Sequence, residues 1–204
     1  SSGLPILLVF STLSVWLVQA GINRSTVTLF SWAGFAYAFK YLWSPLVDNY
    51  KLPFLKKLGH RKSWLLVSQI LVLISLILTA FTDPQNNLFF TALFITFLAF
   101  FSATQDILID AFRIESAPQS LQGPMSSMYI AGYRIAMLVA GAGSLWLAAF
   151  FGTEIYNQDV WKKVYLTMSI FMFVGIFATL SSQEPKIKKN FKKDNHLKFL
   201  LSIF

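Results

Sequence analysis

Six segments of this chain are each about as long and as apolar as a helix that crosses a lipid bilayer, for which about 20 mainly apolar residues suffice. They comprise residues 3–20, 27–47, 64–81, 88–109, 125–151 and 164–181. Turn-forming residues separate several of them, as in Gly21-Ile22-Asn23 and Gln122-Gly123-Pro124. The pattern predicts an all-α, polytopic membrane protein in which residues 1–182 form one six-helix transmembrane bundle embedded in a lipid bilayer.

The composition excludes several other classes. Hydrophobic residues make up 55% of the chain and charged residues only 13%, about half of what soluble domains carry, which is roughly 25%. The chain has no Cys, and its two His residues lie in basic segments, so we expect no metal site, and the sequence indicates no cofactor. The net charge of +8 lies between the apolar spans rather than along one soluble face, which argues against nucleic acid as a partner.

The distribution of Lys and Arg predicts the orientation in the membrane. The loops 48–63 and 110–124 and the tail from residue 182 hold five, one and six basic residues, whereas the loops on the other side hold one, none and two. Basic loops face the cytoplasm. Both ends of this chain are therefore predicted to be cytoplasmic.

The last residues, 183–204, form a basic linker followed by the start of a further apolar segment. Residues 183–195 are predicted either to lie along the anionic inner leaflet or to form a solvated loop between two bundles. The segment from His196 is predicted to begin an interfacial helix or a seventh span. Because the chain opens without Met and closes on apolar residues, we expect it to be a piece of a longer protein.

Two carboxylates stand within the fourth span. Asp106 and Asp110 are four residues apart and so share one helix face, with Gln105 beside them. Charges inside a membrane span are costly unless they are paired or hydrated, so they mark candidate functional sites. Two alternatives are open: the pair binds a cation or holds a proton, or it forms interhelical ion pairs with Lys40, with Arg134 or with the loop 48–62.

Two cations also lie within spans. Arg134 is about ten residues into the fifth span, or about 15 Å deep at 1.5 Å per residue, too far for its side chain to reach the interface comfortably. It is predicted to contact a polar or anionic substrate group or to bridge to Asp106. Lys40, in the second span, is a further substrate-binding candidate.

The loop after the second span resembles a motif of the major facilitator superfamily. It contains Asp48 and the run Gly59-His60-Arg61-Lys62, similar to the acid, glycine and paired basic residues that lock the cytoplasmic gate between helices two and three in that family. The resemblance implies that this chain is the N-terminal bundle of a major facilitator fold.

Four stretches resemble the AmpG-type muropeptide permeases within that superfamily. They are Ser2-Gly3-Leu4-Pro5, Phe39-Lys40-Tyr41-Leu42-Trp43-Ser44-Pro45-Leu46-Val47-Asp48, Ser102-Ala103-Thr104-Gln105-Asp106-Ile107 with Asp110, and Gly132-Tyr133-Arg134-Ile135-Ala136-Met137-Leu138-Val139. The resemblance implies a symporter of the bacterial inner membrane that imports anhydromuropeptides with protons for peptidoglycan recycling. It also implies a C-terminal six-helix half, in the same or a separate chain.

These inferences assign roles to the candidate residues. Proton coupling or gating is assigned to Asp106, Asp110, Asp48, Gly59, Arg61 and Lys62, and substrate binding to Arg134, Tyr133, Gln105 and Lys40. The alternatives are a transporter of another substrate such as acetyl-CoA, which members of the wider family carry, a half-transporter with no function alone, and a membrane-embedded enzyme. An enzyme is the least supported, because no His lies in a span to act as a base.

Overall fold

The computed structural model, which describes residues 2–53, 58–152 and 155–185, contains six successive helical passes. Four helices are long and apolar enough to cross a membrane: α3 (His60–Ala80), α4 (Leu88–Ser116), α5 (Gln119–Phe151) and α6 (Gln158–Ser181). The first pass, α1 (Gly3–Gln19), is a shorter apolar helix. The second pass, α2 (residues 24–49), is a run of short helical pieces. The all-helical membrane bundle expected from the sequence is confirmed.

The predicted 27–47 span is the one that departs most from a regular helix. Its pieces are Arg24–Leu29, Phe30–Gly34, Phe35–Ala38, Lys40–Leu42 and Ser44–Asn49, of which the second and fourth are 3₁₀ turns. A 3₁₀ turn is narrower and makes poorer hydrogen bonds than an α-helix, so such runs are short. Phe39 leaves helical geometry with φ −99° and ψ 10° just before Lys40, and Pro45 stands at the start of the last piece.

Two π-helical turns, Leu8–Thr12 in α1 and Val139–Gly143 in α5, interrupt their helices at a shared point. The Thr12 hydroxyl lies 2.8 Å from the Ser144 hydroxyl and donates to the Ala140 carbonyl at 3.2 Å. Each wide turn frees backbone carbonyls from the regular helical pattern. The contact satisfies buried polar groups and fixes α1 against α5.

The main core lies where α1 packs against α3, α4 and α6. Trp16 of α1 is fully buried and stacks on Trp161 of α6, with ring centroids 5.8 Å apart. Tyr165 also packs against Trp16, with ring centroids 5.0 Å apart, and donates a hydrogen bond to the Leu8 carbonyl. Burial of large aromatic rings contributes most to such packing. The core therefore holds α1 at the centre of the bundle.

Alternation of the passes places the connecting loops at two ends. One end, the Arg61 end, gathers Asp48, Arg61, Glu115 and Glu184 through direct hydrogen bonds. The other end, the Tyr156 end, joins Tyr156 to Asp83, since its hydroxyl donates to Oδ1 at 2.8 Å. The predicted linker and apolar segment at 183–204 lie, after Pro185, outside the described residues.

Candidate functional site

A cavity of about 450 Å³ opens between α2, α4 and α5. Its walls carry Lys40, Asp106, Asp110, Tyr129, Ile130, Tyr133, Arg134 and Met137. Five of these are residues that the sequence singled out as functional candidates. The structure therefore brings together residues that are far apart in the chain, around one water-accessible space.

The ion pair between Lys40 and Asp106 crosses the cavity from α2 to α4. Lys40 Nζ lies 3.7 Å from Asp106 Oδ2, and the Asp106 side chain is only 10% exposed. The other carboxylate oxygen, Oδ1, is buried and has no hydrogen-bond partner among the described residues. Of the alternatives for Asp106, the ion pair is present, with Lys40 as its partner. The unpartnered oxygen is also the atom on which a proton could be held.

Asp110 is paired within its own helix. Its Oδ1 lies 3.7 Å from a guanidinium nitrogen of Arg113, three residues on, and the Asp110 side chain is 42% exposed. Arg113 also donates to the Ser126 hydroxyl and lies over the Tyr129 ring, 5.7 Å from its centroid. The expected partners of Asp110 were Lys40, Arg134 or the loop 48–62. The i, i+3 spacing on α4 makes Arg113 the nearer cation.

Arg134 is exposed on the α5 wall of the cavity, beside Tyr133. Within the described part of the chain, no carboxylate lies within 4.0 Å of its guanidinium. The expected bridge from Arg134 to Asp106 is therefore not formed, because Lys40 pairs with Asp106. A guanidinium that faces an open cavity is suited to bind a carboxylate or phosphate of a ligand.

Gln105 occupies a different position from its neighbour Asp106. Its side chain is fully buried in the bundle, and it is not among the residues that line the cavity. Consecutive helical residues point about 100° apart, so only one of the two faces the opening. A direct contact between Gln105 and a substrate in this cavity would require Gln105 to move.

Arg61 is the centre of a second cluster, at the Arg61 end of the bundle. Its Nε donates to both Glu115 carboxylate oxygens at 3.1 and 3.0 Å, and its Nη2 donates to Oε1 at 2.6 Å. Its Nη1 also pairs with Asp48. A forked guanidinium can satisfy two carboxylates at once, which Lys cannot. One side chain thus ties the end of α2 to α3 and α4.

Gly59, Lys62 and Glu184 join α3 to α6 by reciprocal capping. The Glu184 carboxylate accepts from the backbone N–H groups of Arg61 and Lys62, both at 2.9 Å. Lys62 Nζ in turn donates to the carbonyls of Leu180 and Ser182 at 2.7 and 2.8 Å. An anion at a helix N-terminus and a cation at a C-terminus both favour the helix dipole. The free backbone N–H groups at the start of α3 and the free carbonyls at the end of α6 therefore each bind a side chain from the other segment.

Glu115, Glu184 and Tyr129 are site residues that the sequence reasoning did not assign. Both acids lie just beyond apolar spans, and their charge complementarity with the loop rich in Lys and Arg is the signal that could have identified them. Tyr129 lies one helical turn before Tyr133, at 6.0 Å between ring centroids, and the i, i+4 spacing from a known candidate was its signal.

The fold and the two polar clusters define a class: a helical membrane bundle with a charged cavity on one side and a charged cluster at one end. Within residues 2–53, 58–152 and 155–185, no group of three or more His, Asp or Glu is arranged to hold a metal ion. Comparison with known sequences gives the family. The chain matches the Major Facilitator Superfamily over residues 2–203 and belongs to it.

Its relatives include AmpG-type proteins. The chain is 38% identical, over 91% of its length, to the anhydromuropeptide permease of Escherichia coli and to a Rickettsia felis protein that carries the name transporter AmpG 4. It is also 38% identical over 92% of its length to an uncharacterised Haemophilus influenzae protein. The chain spans 36% of the E. coli relative and 44% of the R. felis one. The resemblance to AmpG-type proteins of the Major Facilitator Superfamily that was noted in the sequence is confirmed.

Proposed function

We propose that this chain is the N-terminal half of a proton-driven permease that imports anhydromuropeptides across the bacterial inner membrane for peptidoglycan recycling. The observation that carries the proposal is the cavity in which Lys40, Asp106 and Arg134 meet, in a chain related to an anhydromuropeptide permease over 91% of its length. Such a substrate combines sugar hydroxyls with peptide carboxylates, so it needs both hydrogen-bonding and cationic groups in the wall.

Substrate contact is assigned to Arg134 and Tyr133. Arg134 provides a cation without a carboxylate partner among the described residues, which suits a peptide carboxylate. Tyr133 and Tyr129 provide hydroxyl groups and ring faces on the same helix. Lys40 becomes a third contact whenever its pairing with Asp106 is broken.

Proton coupling is assigned to Asp106. When a proton binds the Asp106 carboxylate, its negative charge is removed and Lys40 loses its counter-ion. Lys40 is then free to bind an anionic substrate group, and loss of the proton restores the pair. The energetic link follows because a charge left unpaired at membrane depth is costly.

The Arg61 cluster is assigned to gating. Asp48, Arg61 and Glu115 hold three helix ends together, and Gly59, Lys62 and Glu184 add the fourth. This end is proposed to face the cytoplasm because the basic residues are concentrated in its loops. Alternating access then requires a second, C-terminal six-helix bundle against which this one rocks.

Uptake into cells that lack their own permease tests the proposal. The cells express this chain joined to the C-terminal half of the E. coli relative and receive labelled N-acetylglucosaminyl-anhydromuropeptide. We expect accumulation that collapses when a protonophore removes the proton gradient, and no accumulation with the unjoined chain. Asp159→Asn, at the Tyr156 end, serves as a neutralising control. If the joined protein is inserted and does not accumulate the label, the substrate assignment is wrong.

A further inference from the structure

A narrow apolar slot of about 210 Å³ lies between α2, α3 and α4, near the Arg61 end but outside the charged cavity. Its lining consists of Trp43, Leu46, Val47, Tyr50, Trp64, Phe100 and Thr104. Trp43 and Phe100 pack at 4.7 Å between ring centroids and form its inner wall. Leu46 and Tyr50 are 68% and 56% exposed at its mouth, so the slot opens to the surroundings of the bundle.

The indole N–H groups and the Thr104 hydroxyl around the slot have protein partners. Trp43 Nε1 donates to the Thr104 hydroxyl at 3.1 Å, and that hydroxyl donates to the Phe100 carbonyl at 2.9 Å. Trp64 Nε1 donates to the Tyr50 carbonyl at 2.6 Å. The surface offered to a ligand is therefore hydrocarbon and ring face. Such a surface is suited to a hydrocarbon chain and offers little to a polar solute.

A second cavity, of about 400 Å³, is lined by Lys51, Leu52, Gly59, His60 and Ser63. Lys51 and Ser63 are the sequence neighbours of Tyr50 and Trp64, which line the slot. In the described residues, no carboxylate lies within 4.0 Å of Lys51. Arg61 and Lys62 are already engaged, and Glu184 occupies the N-terminus of α3. Among the described residues that line this cavity, Lys51 is the lysine available to meet an anionic group.

We propose that the slot and this cavity together bind one anionic phospholipid, with an acyl chain between Trp43 and Trp64 and the phosphate against Lys51. The inference rests on the orientation proposed above, which places Lys51 at the inner leaflet, where anionic headgroups attract juxtamembrane cations. Trp and Tyr are also the residues that favour this interface. The lipid fills the seam beside α2, the pass that is broken into short pieces, and so supports Asp48 in the Arg61 cluster.

Native mass spectrometry of the full chain in detergent tests the headgroup contact. Phosphatidylglycerol and phosphatidylcholine with identical acyl chains are titrated separately. We expect tighter binding of phosphatidylglycerol, weakened about tenfold by Lys51→Glu. The matched control Arg24→Glu makes the same charge change at the Tyr156 end and is expected to leave binding unchanged. Equal weakening by both variants would show only a general charge effect and would overturn the proposal.

Fluorescence quenching tests the acyl-chain contact. Phosphatidylglycerol with brominated acyl chains is expected to quench more Trp emission than brominated phosphatidylcholine. The excess should vanish in the double variant Trp43→Phe/Trp64→Phe and persist in Trp32→Phe/Trp146→Phe, which alters two exposed indoles. Persistence of the excess in the first variant would overturn the proposal. Loss of lipid binding when the C-terminal half is joined would also overturn the proposal, because protein would then cover the slot. Neither readout involves transport, so failure here is distinct from failure of the permease assignment.

Discussion

The carboxyl group of Glu184 lies directly against Gly59, so the segment after α6 is packed onto the glycine that immediately precedes α3. Gly59 has φ 93° and ψ 167°, a backbone conformation essentially limited to glycine. A β-carbon at this position would also collide with the Glu184 side chain. We expect Gly59→Ala to cost about 3 kcal/mol in free energy of unfolding, measured as a lowered midpoint of thermal unfolding in detergent.

Two comparisons separate backbone strain from collision. Gly21→Ala also forces a positive φ, of 75°, but nothing lies within 4 Å of its new β-carbon, so we expect a smaller loss. In a Glu184→Ala background, Gly59→Ala should cost less than it does in the unaltered chain, because the collision is gone. If the cost is the same in both backgrounds, the contact with Glu184 is not what requires glycine.

Replacement of Arg61 by Lys tests whether the forked guanidinium is needed. Lys keeps the charge but has no planar fork to bind Glu115 through two nitrogens while also pairing with Asp48. We expect Arg61→Lys to lower the free energy of unfolding by about 1–3 kcal/mol and to reduce uptake by the joined protein. Lys62→Arg is the matched control, because the Lys62 ammonium group meets only backbone carbonyls in the described contacts.

The sequence predicted the passes well because membrane depth imposes a length and a hydrophobicity on each helix. Residues 88–109 and 164–181, for example, fall within α4 and α6. The 3₁₀ turn at Lys40–Leu42 within α2 was not predictable, since it gives no distinct hydrophobic pattern. That turn helps place Lys40 opposite Asp106, so the part hardest to predict also determines the site.

The sequence predicted that the charges within the spans would be paired or would face a cavity, but it did not predict which partner each of them has. Membrane energetics indicated that Asp106, Arg134 and Lys40 must be paired or face a cavity, and each of them lines the cavity. Which cation pairs with which acid depends on distances between helices, which a single sequence does not contain. For the same reason the caps provided by Glu184 were missed, because their partners lie more than 120 residues away.

Tyr156 provides a test by pH at the opposite end of the bundle. Burial raises the pKa of its phenol to about 12, and the carboxylate of Asp83, which accepts its hydrogen bond, adds to the shift. The unfolded phenol ionises near pH 10, so the stabilisation is complete below about pH 10 and is lost as pH rises through about 12. We expect Tyr156→Phe to be less stable than the unaltered chain at pH 8, by about 1 kcal/mol.

The difference between the two proteins should shrink from about pH 10 to about pH 12, because only the unaltered chain has this phenol to ionise. Thermal unfolding across this range measures the difference and cancels the titration of the other groups. A constant difference between Tyr156→Phe and the unaltered chain over this range would contradict the assigned hydrogen bond.

Asp106→Asn tests proton coupling most directly, because it keeps the shape of the side chain and removes the titratable group. In the protein joined to a C-terminal half, we expect gradient-driven accumulation of muropeptide to fall at least about tenfold. Exchange of labelled for unlabelled substrate across the membrane should continue, since Arg134 and Tyr133 are intact. Asp110→Asn is the control: that carboxylate is more exposed and pairs with Arg113, so coupling should survive. If accumulation by Asp106→Asn still follows the proton gradient, the coupling site lies elsewhere, and the Lys40–Asp106 pair has a structural role only.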